Sequence, residues 1–76
     1  LFRRLRALRK TLADAAGVPP FVIFRDISLV GMAAALPADD EAFLNVHGVG
    51  THKLERYGED FLGEIRRYLQ ERKERS

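Results

Sequence analysis

We expect this chain of 76 residues to fold as an all-α, compact bundle of about five short helices. Three observations support this expectation. The apolar residues of the first and last segments recur at the spacing of an amphipathic helix. Glycine and proline residues punctuate the chain between shorter helical stretches. Only residues 21–24 resemble a buried strand, and no second strand is available to pair with them.

The first element is a helix over residues 1–16, because its leucines fall on one side when successive residues are turned by about 100°. Gly17 follows the last apolar residue, where glycine readily adopts the left-handed conformation that caps a helix. The Val-Pro-Pro that comes next prevents continuation, because proline lacks a backbone N–H. We interpret residues 21–24, Phe-Val-Ile-Phe, as a short helical or irregular segment.

Two more short helices are expected in the middle of the chain. Asp26 is the expected N-cap of a helix that runs to about Leu36 and is stopped by Pro37. Asp39 or Asp40 is expected to cap the next helix, since aspartate accepts hydrogen bonds from the first backbone N–H groups. The apolar face of the earlier helix is predicted to comprise Ile27, Leu29, Val30, Met32, Ala33 and Leu36.

The last third of the chain follows a turn that contains Gly48 and Gly50. Residues 51–57 are predicted to form a helix, which Gly58 interrupts or kinks before a long terminal helix. The acidic residues of that helix come early and its basic residues late, which suits the helix dipole. We expect the ordered core to cover about residues 1–72, with a frayed tail after it.

The composition is that of a globular domain and excludes several classes of protein. Apolar residues make up 46% of the chain and charged residues 32%, which is not the balance of a disordered chain. The absence of cysteine excludes disulfides and thiolate metal sites. No apolar run approaches the roughly 18 residues of a membrane helix. Because the sequence starts at Leu1 without methionine, we interpret residues 1–76 as one accessory domain excised from a longer protein.

The charges are unevenly distributed, although the net charge is only +2. Residues 1–17 hold five basic residues and one acidic residue, whereas residues 18–50 hold one basic and four acidic residues. This pattern permits a polyanion on one face and a basic protein surface on the other. The alternative is that the charges only keep the domain in solution.

The two-glycine turn is the local pattern that most suggests ligand binding. We expect Gly50 to hold a positive φ there, a conformation that valine strongly resists. The helix after it presents free N–H groups and a positive dipole end to a phosphate. Lys53 and Arg56 follow within two turns and could reach the same anion. The alternative is a tight helix–helix turn with Val49 in the core.

Phe21 is a second candidate, because it follows two prolines and is expected in a constrained loop. An aromatic ring exposed there could stack on an unpaired base, an interaction of about 1–3 kcal/mol per base. The alternative is that Phe21 belongs to the core, as Phe24 does. If Val22 and Ile23 fill the core instead, Phe21 is left outside.

The sequence offers no catalytic or metal-binding constellation. His47 and His52 have no partner ligand at a suitable spacing. The acidic stretch at residues 39–41 is better explained by helix capping than by metal-dependent hydrolysis. Neither Ser28 nor Ser76 has a candidate base, and there is no Gly-x-x-x-x-Gly-Lys phosphate loop. We therefore do not expect an enzyme.

Several motifs occur in an order and spacing that resemble the HRDC domain (helicase and RNase D C-terminal). They are Leu5-x-x-Leu8-Arg9, Gly17-Val18-Pro19-Pro20-Phe21-Val22-Ile23-Phe24-x-Asp26, Leu29-x-x-Met32-Ala33, Pro37, and Gly48-Val49-Gly50-x-x-Lys53-Leu54-x-Arg56-Tyr57-Gly58. The resemblance covers roughly residues 1–70. The Pro-Pro-aromatic and Lys-Leu-Glu-Arg-Tyr-Gly stretches are most similar to the version found in bacterial RecQ-type DNA helicases.

The resemblance implies a non-catalytic auxiliary module of a RecQ-type ATP-dependent DNA helicase, or of an RNase D-like nuclease. Such a module binds DNA weakly and adjusts which DNA structures the motor engages in DNA repair and recombination. ATP and Mg²⁺ are expected only in the absent motor, so no cofactor is expected here. In RecQ-type members an exposed aromatic residue after the double proline contacts single-stranded DNA. Phe21 occupies that position, where relatives often have tyrosine.

The candidate nucleic-acid-binding residues are Phe21, Arg9, Lys10, Arg25, Gly48, Gly50, Lys53 and Arg56. Phe21 is expected to stack on a base of single-stranded or junction DNA, and the basic residues are expected to contact phosphate. The acidic residues Asp39, Asp40 and Glu41 would repel phosphate. They give the alternative function, a protein-interaction module that docks on the helicase's own DNA-binding core and regulates it. A purely structural spacer is a third interpretation.

We expect a monomer in the bacterial cytoplasm, associated with the nucleoid and without a membrane or metal partner.

Overall fold

The computed structural model describes residues 1–75, which form five α-helices and no strand. The helices are α1 (Phe2–Ala16), α2 (Pro20–Ile23), α3 (Asp26–Ala35), α4 (Asp40–Leu44) and α5 (Thr51–Arg75). This confirms the all-α prediction and the number of helices. The last helix is not short, however, because α5 contains 25 residues.

The helices enclose one hydrophobic core, and Phe24 joins its parts. The Phe24 ring makes edge-to-face contacts with the rings of Phe43, Tyr57 and Phe61, at centroid distances of 6.1, 6.0 and 4.9 Å. Each such contact adds about 0.5–1.5 kcal/mol to the burial of the rings. Because Phe24 follows α2 directly, these contacts fix the segment that carries Phe21. The buried apolar residues are Leu5, Ala13, Ile23, Phe24, Leu29, Met32, Phe43, Val46, Val49, Phe61, Leu62 and Ile65.

Two of the predicted helix caps are confirmed and one is wrong. Gly17 ends α1 in the left-handed conformation, with φ 69° and ψ 33°. Asp39 caps α4, since its carboxylate accepts a hydrogen bond of 2.8 Å from the backbone N–H of Ala42. Asp26 is not an N-cap: it lies in the first turn of α3, and its carboxylate forms an ion pair with Arg9. Arg25 is the N-cap residue instead, with an extended backbone and no hydrogen bond from its side chain to the helix, and Asp26 comes one residue too late to cap it.

The predicted apolar face of α3 is only partly buried. Leu29 and Met32 are fully buried, whereas Ile27 and Val30 are 56% and 54% exposed. These two pairs lie on opposite sides of the helix, and α3 packs with one side against α1. A helix that is apolar nearly all round can bury only the side that meets a neighbour, and the prediction for Ile27 and Val30 was therefore wrong.

Gly58 does not interrupt the last helix, because α5 is continuous from Thr51 to Arg75. Gly58 is buried, and a Cβ atom at this position would come within 2.6 Å of Leu54 Cδ1. The glycine therefore leaves room for the side chain of Leu54, one turn earlier in the same helix, and the helix is held by the partly buried Leu54 and Tyr57 before it and the buried Phe61, Leu62 and Ile65 after it. The helix also extends past residue 72, where the side chains are exposed. The frayed tail stays a prediction, and Ser76 lies outside the described residues.

Candidate nucleic-acid interface

A partly enclosed cavity of about 270 Å³ opens where the segment from α2 to α3 meets the turn before α5 and the start of α5. Four of the predicted site residues line it, namely Phe21, Arg25, Gly48 and Lys53. We call it the Phe21 cavity. Its lining residues come from three separate parts of the sequence, within residues 21–28, at 47–48 and at 53. The packing of Phe24 against α4 and α5 brings these parts together.

Phe21 is 63% exposed at this cavity. It lies in the single turn of α2, and the next two residues, Val22 and Ile23, differ in burial: Ile23 is completely buried and Val22 is partly exposed. Ile23 and Phe24 together fill the core beneath α2, so there is no place in it for Phe21. The interpretation of Phe21 as a core residue is therefore wrong.

Lys53 is a half-buried cation without a carboxylate partner among residues 1–75. Its ammonium group donates a hydrogen bond to the backbone carbonyl oxygen of Val22 and lies 5.8 Å and 5.6 Å from the ring centroids of Phe24 and Tyr57. Burial lowers the pKa of Lys53, and the positive charge of Arg56 lowers it further. An ammonium group has three protons to donate, and an anion would relieve both unfavourable effects.

The turn before α5 is attached to α3 through Ser28, which is buried. The Ser28 hydroxyl donates a hydrogen bond of 2.8 Å to the carbonyl oxygen of His47. Gly48 has a φ of 83°, and a Cβ atom there would lie 2.3 Å from Ser28 Oγ. Glycine is thus required at Gly48 both by its conformation and by the close approach of Ser28.

The prediction for Gly50 is wrong, because Gly48 and Gly17 are the glycines with positive φ among the described residues. Gly50 has no heavy atom within 4 Å of a Cβ placed on it and does not line the Phe21 cavity. The left-handed conformation occurs two residues earlier, at Gly48, next to the His47 carbonyl oxygen that accepts the hydrogen bond from Ser28. Val49, between the two glycines, is buried, as the tight-turn interpretation predicted.

Arg9 is occupied by structural contacts and is only 8% exposed. Its guanidinium donates a hydrogen bond of 2.9 Å to the carbonyl oxygen of Phe24 and forms an ion pair of 2.8 Å with Asp26. These contacts tie α1 to the segment that connects α2 and α3. Arg9 therefore has little surface to offer to a phosphate, contrary to its expected role.

Lys10 and Arg56 are exposed but lie outside the Phe21 cavity. Lys10 forms an ion pair of 3.1 Å with Asp14 on the surface of α1 and lines a separate groove. The guanidinium of Arg56 lies 5.7 Å from the ring centroid of Tyr57, within one turn of Lys53. The predicted basic residues therefore form two groups rather than one surface.

Comparison with known proteins identifies the family. The family model of the HRDC domain matches residues 1–65. The chain belongs to the HRDC domain family. It is 47% identical over 68 residues to the ATP-dependent DNA helicase RecQ of Bacillus subtilis, and 43% identical over 68 residues to that of Haemophilus influenzae. These matches cover 90% of this chain and 12% and 11% of the two relatives.

A helicase with a different name is also similar to this HRDC domain. The ATP-dependent DNA helicase UvrD2 of Mycobacterium tuberculosis is 39% identical to it over 66 residues, which cover 87% of this chain and 9% of that protein. The chain thus spans about a tenth of the length of these curated relatives. The resemblance drawn from the sequence motifs is confirmed for the family and for the bacterial RecQ helicases.

The acidic residues of this HRDC domain lie apart from the Phe21 cavity. Asp39, Asp40 and Glu41 are all exposed at the start of α4, and none of them lines the cavity. Asp39 is engaged as a helix cap, whereas Asp40 borders a groove that also contains Arg66. Their side chains therefore do not contact an anion bound in the Phe21 cavity, and their charges can repel it only over a longer distance.

Sequence reasoning did not assign four residues that line the Phe21 cavity to the site, namely Phe24, Ile27, Ser28 and His47. Phe24 was expected in the core, where most of its ring lies. Ile27 has the pattern of a core residue, and its exposure depends on which side of α3 meets α1. The contact between Ser28 and His47 joins residues 19 positions apart, so no local sequence pattern predicts it.

In the part of the chain that the structure describes, no His, Asp and Glu side chains gather to hold a metal ion. No helix within residues 1–75 combines the length and apolar character needed to cross a membrane.

Proposed function

We propose that this HRDC domain is an accessory module of an ATP-dependent DNA helicase that weakly binds single-stranded or junction DNA and tunes the choice of substrate. The similarity to the ATP-dependent DNA helicases RecQ and UvrD2 supports a DNA helicase as the protein to which this domain belongs. The chain carries no phosphate loop of the Gly-x-x-x-x-Gly-Lys type, which supports a non-catalytic role. ATP hydrolysis would then belong to other parts of the parent protein.

The observation that carries the proposal is that the exposed Phe21 ring lines the same cavity as Lys53, whose ammonium group has no carboxylate partner among residues 1–75. An unpaired nucleotide has a flat base and a phosphate, and these two groups complement a ring and a cation. A regular duplex stacks its bases internally and cannot offer the face of a base to Phe21. The side chain of Arg25 adds a second cation at the same cavity.

Replacing Phe21 with alanine tests the proposal directly. The ring is exposed and its removal leaves the core intact, so the variant should keep the helical circular dichroism spectrum of the parent. Its affinity for a labelled single-stranded oligonucleotide should fall about 5- to 150-fold, the equivalent of one lost stacking contact. Val22→Ala is the matched control, because Val22 is the next residue, is also partly exposed and does not line the cavity. Unchanged affinity in a folded Phe21→Ala variant would overturn the proposal.

The second candidate function is docking of the acidic residues on the DNA-binding core of the same helicase. It is supported by the exposure of Asp40 and Glu41 at a distance from the Phe21 cavity. Reversing both to lysine tests it, and Asp39 is left in place because it caps α4. Docking predicts that the reversal abolishes binding to the separately prepared helicase core and improves DNA binding. Retained docking would exclude this function.

A further inference from the structure

Two exposed apolar side chains line the Phe21 cavity together. Phe21 comes from α2 and Ile27 from α3, and they are 63% and 56% exposed. The buried ring of Phe24 also lines the cavity. One exposed aromatic ring is enough to stack a base. Stacking on Phe21 alone therefore does not explain why a second apolar side chain is exposed at the same cavity.

The cavity is also kept open by its construction. Gly48 lines it without a side chain, and a Cβ atom there would collide with Ser28 Oγ. The hydrogen bond from Ser28 to the carbonyl oxygen of His47 holds the turn in place beside α3. The volume of about 270 Å³ lies just below the usual range of small-ligand sites, roughly 300–1,000 Å³. Such a space suits one planar ring system and is too small for a run of stacked bases.

We propose that the Phe21 cavity is a pocket for one unpaired nucleobase, in which Ile27 contacts the base in addition to Phe21. The inference rests on the proposed function and makes it more specific. The domain would recognise a base that has left the duplex, as at a bulge or a junction, in addition to a continuous single strand. Lys53 and Arg25 at the same cavity would contact the phosphates on either side of that base.

Ile27→Ala and Val30→Ala form a matched pair for the test. Both residues are aliphatic, lie on α3 and are exposed to nearly the same extent, but Val30 does not line the cavity. Neither substitution removes a core contact, so both variants should melt at the temperature of the parent or slightly above it, since alanine favours a helix. Ile27→Met, which restores an apolar side chain, is the rescue variant.

The probes are three labelled duplexes that differ at one position: fully paired, with one bulged nucleotide, and with one bulged abasic nucleotide. The parent domain should bind the bulged duplex about five- to tenfold more tightly than the other two, because only that probe supplies a free base. Ile27→Ala should reduce this preference about fivefold, whereas Val30→Ala and Ile27→Met should preserve it.

The outcomes separate this inference from the proposed function. If Phe21→Ala weakens single-strand binding while Ile27→Ala leaves the preference for the bulge intact, Phe21 stacks bases on one face and the pocket proposal fails alone. Equal binding of the bulged and the abasic probes would also overturn the pocket, because the base would then contribute nothing. If Ile27→Ala weakens binding of all three probes equally, Ile27 is a general contact and does not contact a base.

Discussion

Gly48 and Gly50 lie two residues apart in one turn, yet they differ in what the fold requires of them. Gly48 has a positive φ and is approached by Ser28 Oγ, whereas Gly50 has neither constraint. The sequence pattern presents both as turn glycines, and local spacing could not distinguish them. The distinction arises from Ser28, which is 20 positions away along the chain from Gly48.

Serine substitutions at these two glycines should therefore have different effects. Gly48→Ser should lower the free energy of unfolding by about 2–4 kcal/mol, because it adds backbone strain and displaces the hydroxyl of Ser28. Gly50→Ser should change it by about 0.5 kcal/mol or less, since serine is favoured immediately before a helix. Urea unfolding followed by circular dichroism measures both values. Equal stability of the two variants would contradict the assignment.

Other single residues show what sequence reasoning could reach. The exposure of Phe21 was predictable as one of two alternatives, because its apolar neighbours could fill the core in its place, although Phe21 lies in α2 and not in the expected loop. The role of Arg9 was not, because its partners Phe24 and Asp26 become neighbours only after α1 and the α2–α3 segment have packed. A basic residue on a helix surface and one at a helix junction look alike in the sequence.

At the scale of the elements, α5 contains two glycines in different surroundings. A Cβ at Gly58 would meet Leu54 Cδ1 at 2.6 Å, whereas a Cβ at Gly63 would meet no heavy atom within 4 Å. Gly63→Ala should therefore raise the free energy of unfolding by about 0.5–1 kcal/mol, through lower backbone entropy in the unfolded chain. This corresponds to a rise in melting temperature of roughly 2–8 °C in a domain of this size.

Gly58→Ala is the comparison for that measurement. Its gain in helix propensity should be reduced or cancelled, because the side chain of Leu54 must move to make room. Calorimetry of both variants gives the difference between their melting temperatures. A larger gain at Gly58 than at Gly63 would show that Leu54 moves without loss of packing, contrary to the close fit described above.

The ends of the helices were easier to predict than whether a helix continues through a glycine. Gly17, the double proline and Asp39 act through the local backbone, so the ends of α1 and the start of α4 could be placed from the sequence. The continuity of α5 could not. A glycine disfavours a helix by about 1 kcal/mol. The partly buried Leu54 and Tyr57 before Gly58 and the buried Phe61, Leu62 and Ile65 after it outweigh that amount only once the core exists.

At the scale of the whole molecule, the net charge of +2 is small, and the cations that matter are local. If Arg25, Lys53 and Arg56 each meet one phosphate, the logarithm of the single-strand affinity should fall with the logarithm of salt at a slope of about −2. Anisotropy titrations between 50 and 200 mM salt, about a 16-fold change at that slope, provide the measurement.

Two lysine variants locate the strand on the molecule. Lys53→Met should flatten the slope by about 0.7, the contribution of one phosphate on a single strand. Lys10→Met should leave the slope unchanged, because Lys10 is paired with Asp14 and lines the separate groove on α1. Equal flattening by the two variants would show that DNA also follows α1, and a slope near zero would exclude phosphate contacts altogether.

The two prolines before Phe21 also affect how a complex would form. Pro19 has φ −62° and ψ 150°, Pro20 begins α2, and the N–H of Val22 donates to the carbonyl oxygen of Pro19 at 3.0 Å. The backbone beneath the exposed ring is therefore ordered before any base arrives. The conformational entropy of that segment is lost during folding and not a second time at association. An encounter with DNA could then be rapid even when the complex itself is short-lived.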